Sequence, residues 1–121
     1  MKSPKHQRVR RRSLLSMNPR RTVRTTKYWN DASEDIYGYT ADEALGKKLW
    51  DLIIPPEMVS DVKDAVHRMV TTGNPNPPET LSLQHKDGHT VLVRSSHSVT
   101  YDVSGNPELF CVDILLDNRF V

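Results

Sequence analysis

The sequence of 121 residues contains one cysteine, Cys111, and no long apolar run. A single cysteine excludes an internal disulfide and any zinc site built from several cysteines. No stretch approaches the about 18–20 consecutive apolar residues that a membrane helix needs, and residues 13–17 are too short and too polar to be the apolar part of a secretion signal. We therefore expect a cytoplasmic protein with one domain and one modest core.

Glycine is also scarce, and the five glycines all lie at predicted turns or helix ends. None belongs to a phosphate-binding loop or to a nucleophile elbow. Ser95 and His97 share one face of a predicted strand, but the sequence suggests no third group that would complete a catalytic set. No enzymatic activity is predicted.

Acidic residues are absent from the first 28 positions, which hold ten of the 17 lysines and arginines and none of the 15 acids. Residues 1–12 are polar and basic without an apolar period, which predicts a disordered arm. Its arginines are candidate contacts to nucleic acid or to an anionic membrane surface: Arg8, Arg10, Arg11 and Arg12. A tail without a role, or one that docks onto the acidic domain of a second subunit, is an alternative.

The remaining sequence alternates between strand and helix patterns. Strands are predicted over residues 13–17, 22–29, 80–85, 90–101 and 109–116, because these runs are apolar, β-branched or alternating and are separated by turn residues. The order predicts an α+β fold, a five-stranded antiparallel sheet whose helices are all inserted between strands two and three.

Three helical signals fill that insertion. Asn30 and Gly38 predict the cap and the end of a helix over residues 31–37. Thr40 and Glu43 have the spacing of a capping box. The longest helix is predicted to begin at Pro56 and to present one apolar face: Met58, Val62, Ala65, Val66, Met69 and Val70.

Over residues 22–117 the chain resembles the PAS domain family. The resemblance rests on three segments taken together and in order, "YWNDASEDIYGYTADEALGKKLWDLIIPPE", "TTGNPNPPETLSLQHKDGHTVLV" and "YDVSGNPELF". It implies one domain over residues 13–117, with a linker beginning at 118–121. The first strand departs from the family pattern because Pro19 stands where a glycine is usual. That strand is therefore expected to be altered, displaced or borrowed from a partner chain.

The resemblance implies a sheet that curls over short helices and encloses a small-molecule pocket or simply a core. Strand alternation puts one set of side chains on a shared face, and the resemblance to flavin-binding relatives implies that this is the concave face. The pocket candidates are Val62, Val66, Trp50, Leu83, Val93, Ser95, His97 and Cys111. His97 could be a pocket donor, a pH-responsive group, a satisfied core histidine or, after a shift in strand parity, a surface residue.

No cofactor is expected. Photoactive flavin relatives need a thiol where this chain has Leu49, and their ring-binding amides fall on Leu83 and Val93. Haem relatives use a histidine at the position of Val62, whereas His67 is better explained as a partly exposed helix residue.

A metal is not predicted either. His85 and His89 flank a turn, and no cysteine or carboxylate is expected to complete a ligand set with them.

The predicted function is that of a sensory module, expected as a homodimer, which binds a small ligand or a partner PAS surface. It would relay the signal to an output domain of the histidine kinase or diguanylate cyclase type. The alternatives are a nucleic-acid-associated regulator that uses the basic arm, and a dimerisation scaffold with a filled core.

Overall fold

The computed structural model describes residues 12–20 and 23–116. Five strands form one antiparallel sheet in the order β2-β1-β5-β4-β3. The strands are β1 (Arg12–Met17), β2 (Thr26–Trp29), β3 (Glu79–Gln84), β4 (Thr90–Tyr101) and β5 (Pro107–Leu115). Between β2 and β3 lie α1 (Asp31–Tyr37), α2 (Ala41–Ala44), α3 (Leu49–Leu52), a 3-10 helix (Pro56–Met58) and α4 (Val59–Thr72). The predicted α+β class and the insertion of the helices are confirmed.

Strand β1 lies inside the sheet, although its sequence departs from the family pattern. It pairs with β2 on one side, where Leu15 faces Trp29, and with β5 on the other, where Leu15 faces Cys111. The side chain of Asn30 holds it further, because Oδ1 accepts from the Leu14 N–H at 3.1 Å and Nδ2 donates to the Arg12 carbonyl at 3.1 Å. In this structure β1 is therefore an interior strand of the sheet, between β2 and β5.

Two boundaries near the N-terminus differ from expectation. Arg12 begins β1 and so does not belong to the basic arm. Strand β2 is shorter than predicted, since Val23 lies in a turn and Arg24 has a left-handed backbone with φ of 55°. A β-branched pair at positions 22 and 23 favours a strand locally, but a left-handed residue breaks the extended ladder.

The corner between α1 and α2 follows the sequence signals closely. Asn30 Oδ1 accepts from the Ser33 N–H at 2.9 Å, which caps α1. Gly38 ends α1 with φ of 84°, a conformation that costs a residue with a side chain far more. Both bonds of the predicted capping box are present: the Glu43 N–H donates to Thr40 Oγ1 at 3.2 Å, and the Thr40 N–H donates to Glu43 Oε1 at 2.9 Å.

Helix α4 covers the concave face of the sheet with its apolar side. Val66 and Met69 are buried in the same core as Leu83 and Leu109. The helix starts at Val59, after the 3-10 helix, and not at Pro56 as predicted. None of the helices among the described residues is both long and apolar enough to span a bilayer.

Candidate functional site

A cavity of about 320 Å³ lies between the concave face of the sheet and the α3–α4 segment. Its wall is mostly hydrocarbon, contributed by both layers: Leu15, Leu49, Ile53, Ile54, Met58, Val62, Ala65, Val66, Met69, Leu81, Leu83 and Leu109. Its volume is at the lower end of the about 300–1,000 Å³ usual for small-molecule sites. The core of this domain is therefore not completely filled.

Six of the eight predicted pocket residues line this cavity: Val62, Val66, Leu83, Ser95, His97 and Cys111. Val93 points inward but is fully buried in the core outside the lining. Trp50 is also outside it: its half-buried ring packs against the core and has the cationic groups of Arg24 and Lys63 at 5.4 and 5.2 Å from its centroid. The positions of Val93 and Trp50 in the cavity wall were wrongly predicted.

The most polar point of the wall is Asp113, which is 1% exposed and was not among the candidates. Its Oδ1 accepts a hydrogen bond from Ser95 Oγ at 2.6 Å, and its Oδ2 accepts one from the Tyr37 hydroxyl. The sequence signal was strand parity, since residue 113 shares a face with Leu109 and Cys111 on β5. An acid within an apolar run is easily assigned to a surface position instead.

Burial determines the ionisation of this cluster. It raises the pKa of the Asp113 carboxyl, although the hydrogen bonds donated by Ser95 and Tyr37 act in the opposite direction. Burial, followed by the charge of Asp113, raises the pKa of Tyr37 and of Cys111 well above their usual values. For all three groups the net shift of the pKa is upward.

His97 lies next to this cluster and lines the cavity. Its Nδ1 is buried and has no hydrogen-bond partner within the described part of the chain, while its Nε2 is 3.5 Å from Ser95 Oγ. Burial lowers the pKa of His97, and the charges of Asp113 and Glu79 oppose that shift. His97 is thus a half-buried residue of the cavity wall with one ring nitrogen unpaired among the described residues.

The wall contains acidic residues but no described lysine or arginine. Exposed Asp61 and Glu79, with half-buried Asn76, form a rim, and Asp113 lies inside. Among residues 12–20 and 23–116, no lysine or arginine belongs to the lining. The cavity therefore disfavours an anionic group.

The wall does not suit a flavin ring. At the two positions where the resemblance places ring-binding amides, Leu83 presents hydrocarbon and Val93 lies outside the lining. Leu49 lines the cavity where photoactive relatives have their thiol. At the haem-ligand position Val62 also presents hydrocarbon, and His67 is exposed on α4.

A second group of polar side chains meets at the β3–β4 turn. Asp87 Oδ1 is 3.2 Å from His85 Nδ1 and 2.5 Å from His89 Nδ1, and the three donor atoms all lie within 4.8 Å of one another. The expectation that no carboxylate lies at ligand spacing from these histidines is wrong. The turn folds Asp87 back between the two rings, a proximity that spacing along an extended strand does not show.

Most of the arginines predicted to form the basic arm lie outside the part of the chain that the structure describes. Arg8, Arg10 and Arg11 lie outside the described residues, as do residues 117–121 with the expected linker. Arg12 is exposed on β1, opposite Ile114 of β5. Nucleic-acid or membrane contact by these arginines stays a prediction.

Comparison with known proteins agrees with this architecture. The family model described as PAS fold matches residues 26–111, more than half of the chain. The chain therefore belongs to the PAS-fold family. Curated protein sequences include no match to it.

Several solved PAS structures share this fold. The PAS domain of a protein from Colwellia psychrerythraea superimposes with a TM-score of 0.74 at 19% identity, over 89% of this chain and 88% of that one. A light-oxygen-voltage domain from work on a flavin analogue gives 0.70 at 18% identity, over 90% and 80%. The Cronobacter turicensis RpfR quorum-sensing receptor PAS domain, in complex with C12:0, gives 0.68 at 14% identity, over 88% and 94%. At such identities these likenesses concern the fold alone.

Proposed function

We propose that this PAS domain is a sensory module whose cavity binds one small, mainly apolar molecule with a neutral or cationic polar end. The observation that supports this most directly is His97, which lines the cavity and whose buried Nδ1 has no hydrogen-bond partner in the described structure. An unpaired buried polar atom costs free energy, so a ligand group that bonds to it gains affinity. No enzymatic role is proposed.

The charge of the wall narrows the ligand class. Asp61, Glu79 and Asp113 surround a cavity that lacks a lysine or arginine among the described lining residues. A carboxylate ligand would lose its hydration without gaining a cationic partner. An alcohol or an amine, in contrast, can bond to His97 or Asp113. The ligand class therefore differs from that of the Cronobacter domain, which was solved with C12:0.

A series of probes with one chain length tests this class. Octanol, octylamine and octanoate share their hydrocarbon part and differ only in the polar end. We expect octanol and octylamine to raise the melting temperature of the full chain and to shift amide signals of β4, β5 and α4 in NMR spectra. The affinity for octanoate should be lower by at least about tenfold, which is the ratio that a loss of about 1.4 kcal/mol of polar interaction produces. Equal or tighter binding of octanoate would contradict the ligand class.

A pair of helix α4 variants tests the location. Ala65→Phe places a ring in the cavity wall, whereas Thr71→Phe places the same ring on the exposed side of the helix. We expect the first variant to lose octanol binding while its melting temperature stays near that of the wild type. The second should bind like the wild type. Retained binding in Ala65→Phe would exclude the cavity as the site.

A third variant tests the polar anchor. His97→Phe keeps a ring of similar size and removes Nδ1, so octanol affinity should fall several-fold, in line with one hydrogen bond of about 1 kcal/mol. An unchanged affinity would show that the hydroxyl of the ligand does not bond to His97.

The relay is the second half of the proposal. Strand β5 contributes Leu109, Cys111 and Asp113 to the cavity and ends at Leu115, next to the C-terminal segment. A ligand that moves these side chains can bias an output domain attached there, of the histidine kinase or diguanylate cyclase type. We further propose that the module works as a cytoplasmic homodimer, for which light scattering should give twice the chain mass. A monomer at working concentration would contradict this.

A further inference from the structure

We propose that the β3–β4 turn is a binding site for a divalent transition-metal ion, with Zn²⁺ as the reference ion. The ligands are His85, Asp87 and His89, spaced two residues apart along the turn. This site is separate from the cavity, and the proposal does not depend on the proposed ligand-sensing function.

The two distances to Asp87 Oδ1 are near those of metal coordination, whereas the rings of His85 and His89, stacked with centroids 4.4 Å apart, would have to turn before both could bind one ion. Zn²⁺ binds nitrogen and oxygen at about 2.0–2.2 Å, so neighbouring ligands of a tetrahedral ion are about 3.3 Å apart. The distance from His85 Nδ1 to Asp87 Oδ1 is already 3.2 Å. His89 Nδ1 is 2.5 Å from the same oxygen and would have to retreat by less than an ångström. The side chain of His89 is 59% exposed and free to do so.

Two of the ligands are held in place before any ion arrives. The ring of His85 packs against Gly38, where an added Cβ would lie 2.4 Å from its Cε1. Asp87 Oδ1 accepts from the His89 N–H at 3.0 Å, which folds the carboxylate over the turn. The backbone also fixes the turn on α1, because the Lys86 N–H donates to the Tyr37 carbonyl at 2.9 Å. Such preorganisation reduces the entropy that binding would cost.

His85 presents the nitrogen that a metal needs. Its Nδ1 accepts from the Asp87 N–H at 3.1 Å, so its lone pair points into the turn. Binding an ion there replaces that bond, and the released N–H lies in an exposed turn where water can satisfy it. Two imidazole nitrogens and one carboxylate oxygen within 4.8 Å of one another are donor types that Zn²⁺ binds.

The nearest cation does not oppose an incoming ion. Lys86 lies between two of the ligands in sequence, but its Nζ is 2.5 Å from Glu43 Oε2 and so points away from the cluster. Two neutral imidazoles and one carboxylate leave a bound Zn²⁺ with a net charge of one, and a water completes four ligands. The site is thus an exposed, three-ligand site with an open position.

The binding test uses the full chain after dialysis against a chelator. Zn²⁺ is titrated in competition with a chromophoric chelator, and amide spectra are recorded along the titration. We expect one Zn²⁺ per chain, a raised melting temperature in the presence of Zn²⁺, and shifts confined to residues 84–90 and the neighbourhood of Gly38. Absence of saturable binding, or shifts elsewhere in the chain, would overturn the proposal.

Single substitutions locate the ligands. His89→Ala and Asp87→Asn change largely exposed side chains, so both variants should fold. Each should weaken Zn²⁺ binding by about tenfold or more, since even partners behind the ligands contribute about 10–100-fold. His67→Ala removes an exposed histidine outside the cluster and should bind like the wild type. Wild-type affinity in His89→Ala, or loss of affinity in His67→Ala, would show that the turn is not the site.

Discussion

Replacement of Asp113 by alanine tests whether the polar cluster stabilises the domain in addition to lining its cavity. The carboxylate is 1% exposed and accepts hydrogen bonds from two hydroxyls, those of Ser95 and Tyr37. Both donors are buried, at 2% and 0% exposure. Asp113→Ala removes their acceptor and leaves both hydroxyls in place.

The size of the effect follows from those two groups. A buried hydroxyl without a partner costs about 1–3 kcal/mol, so two cost about 2–6 kcal/mol. Ser95 belongs at the lower end of that range, because His97 Nε2 is 3.5 Å from its Oγ and can become a weak partner. Tyr37 should contribute the larger share. A loss of this size is a large part of the about 5–15 kcal/mol that stabilises a typical domain.

Urea unfolding at neutral pH, followed by circular dichroism, measures the change. We expect a lower midpoint for Asp113→Ala with an unchanged slope, and a change within about 0.5 kcal/mol for the exposed control Asp64→Ala. If Asp113→Ala also stayed within about 0.5 kcal/mol of the wild type, the two hydroxyls would have found other partners and the reasoning would fail.

Four further predictions concern pH and the α1–α2 corner. Because the pKa of folded Asp113 is above its ordinary 3.8, the unfolded chain loses that proton first as pH rises from 3.8. The stability of the wild type should therefore fall with rising pH relative to that of Asp113→Asn. Parallel profiles of the urea midpoint against pH would contradict this. The pKa of folded His97 is below 6.5, so stability should fall as pH decreases from 6.5, and His97→Phe should flatten that decrease in the same assay. Thr40→Ala removes the cap of α2 and should cost about 1 kcal/mol in urea unfolding, an expectation that an unchanged midpoint would refute. Gly38→Ala should cost more than that, since φ is +84° and the new Cβ would overlap the His85 ring, so a wild-type melting temperature would show that the corner can relax.

Local signals were the most reliable guide to this fold. Asn30, Gly38 and the pair Thr40 and Glu43 act within one turn of helix, so their roles could be predicted from neighbouring residues alone. Strand β2 shows the limit of such reasoning: its predicted first half was overridden by the left-handed backbone of Arg24 and by the pairing of Thr25 with Lys48.

Part of the candidate site could also be predicted from local signals. Alternation along β4 and β5 placed Ser95, His97 and Cys111 inward correctly, because the side-chain period of a strand is a local property. Alternation does not say whether an inward side chain meets a cavity or a packed core. Val93 points inward but lies outside the lining, because whether its side chain meets the cavity depends on the residues that pack against it.

The order of the elements, the helix ends and the side chains that share a strand face could be predicted from the sequence because each depends on short-range chemistry, whereas the fold family and the inward face came from the resemblance. Only the tertiary structure decided that the concave side keeps a cavity, that the Tyr37 hydroxyl meets Asp113 across the fold, and that His85, Asp87 and His89 converge at one turn. The cavity and the contact between Tyr37 and Asp113 involve residues that are distant in sequence. The cluster of His85, Asp87 and His89 depends on how a turn bends. None of these three features can be predicted from separation along the chain, because the folded backbone brings the groups together.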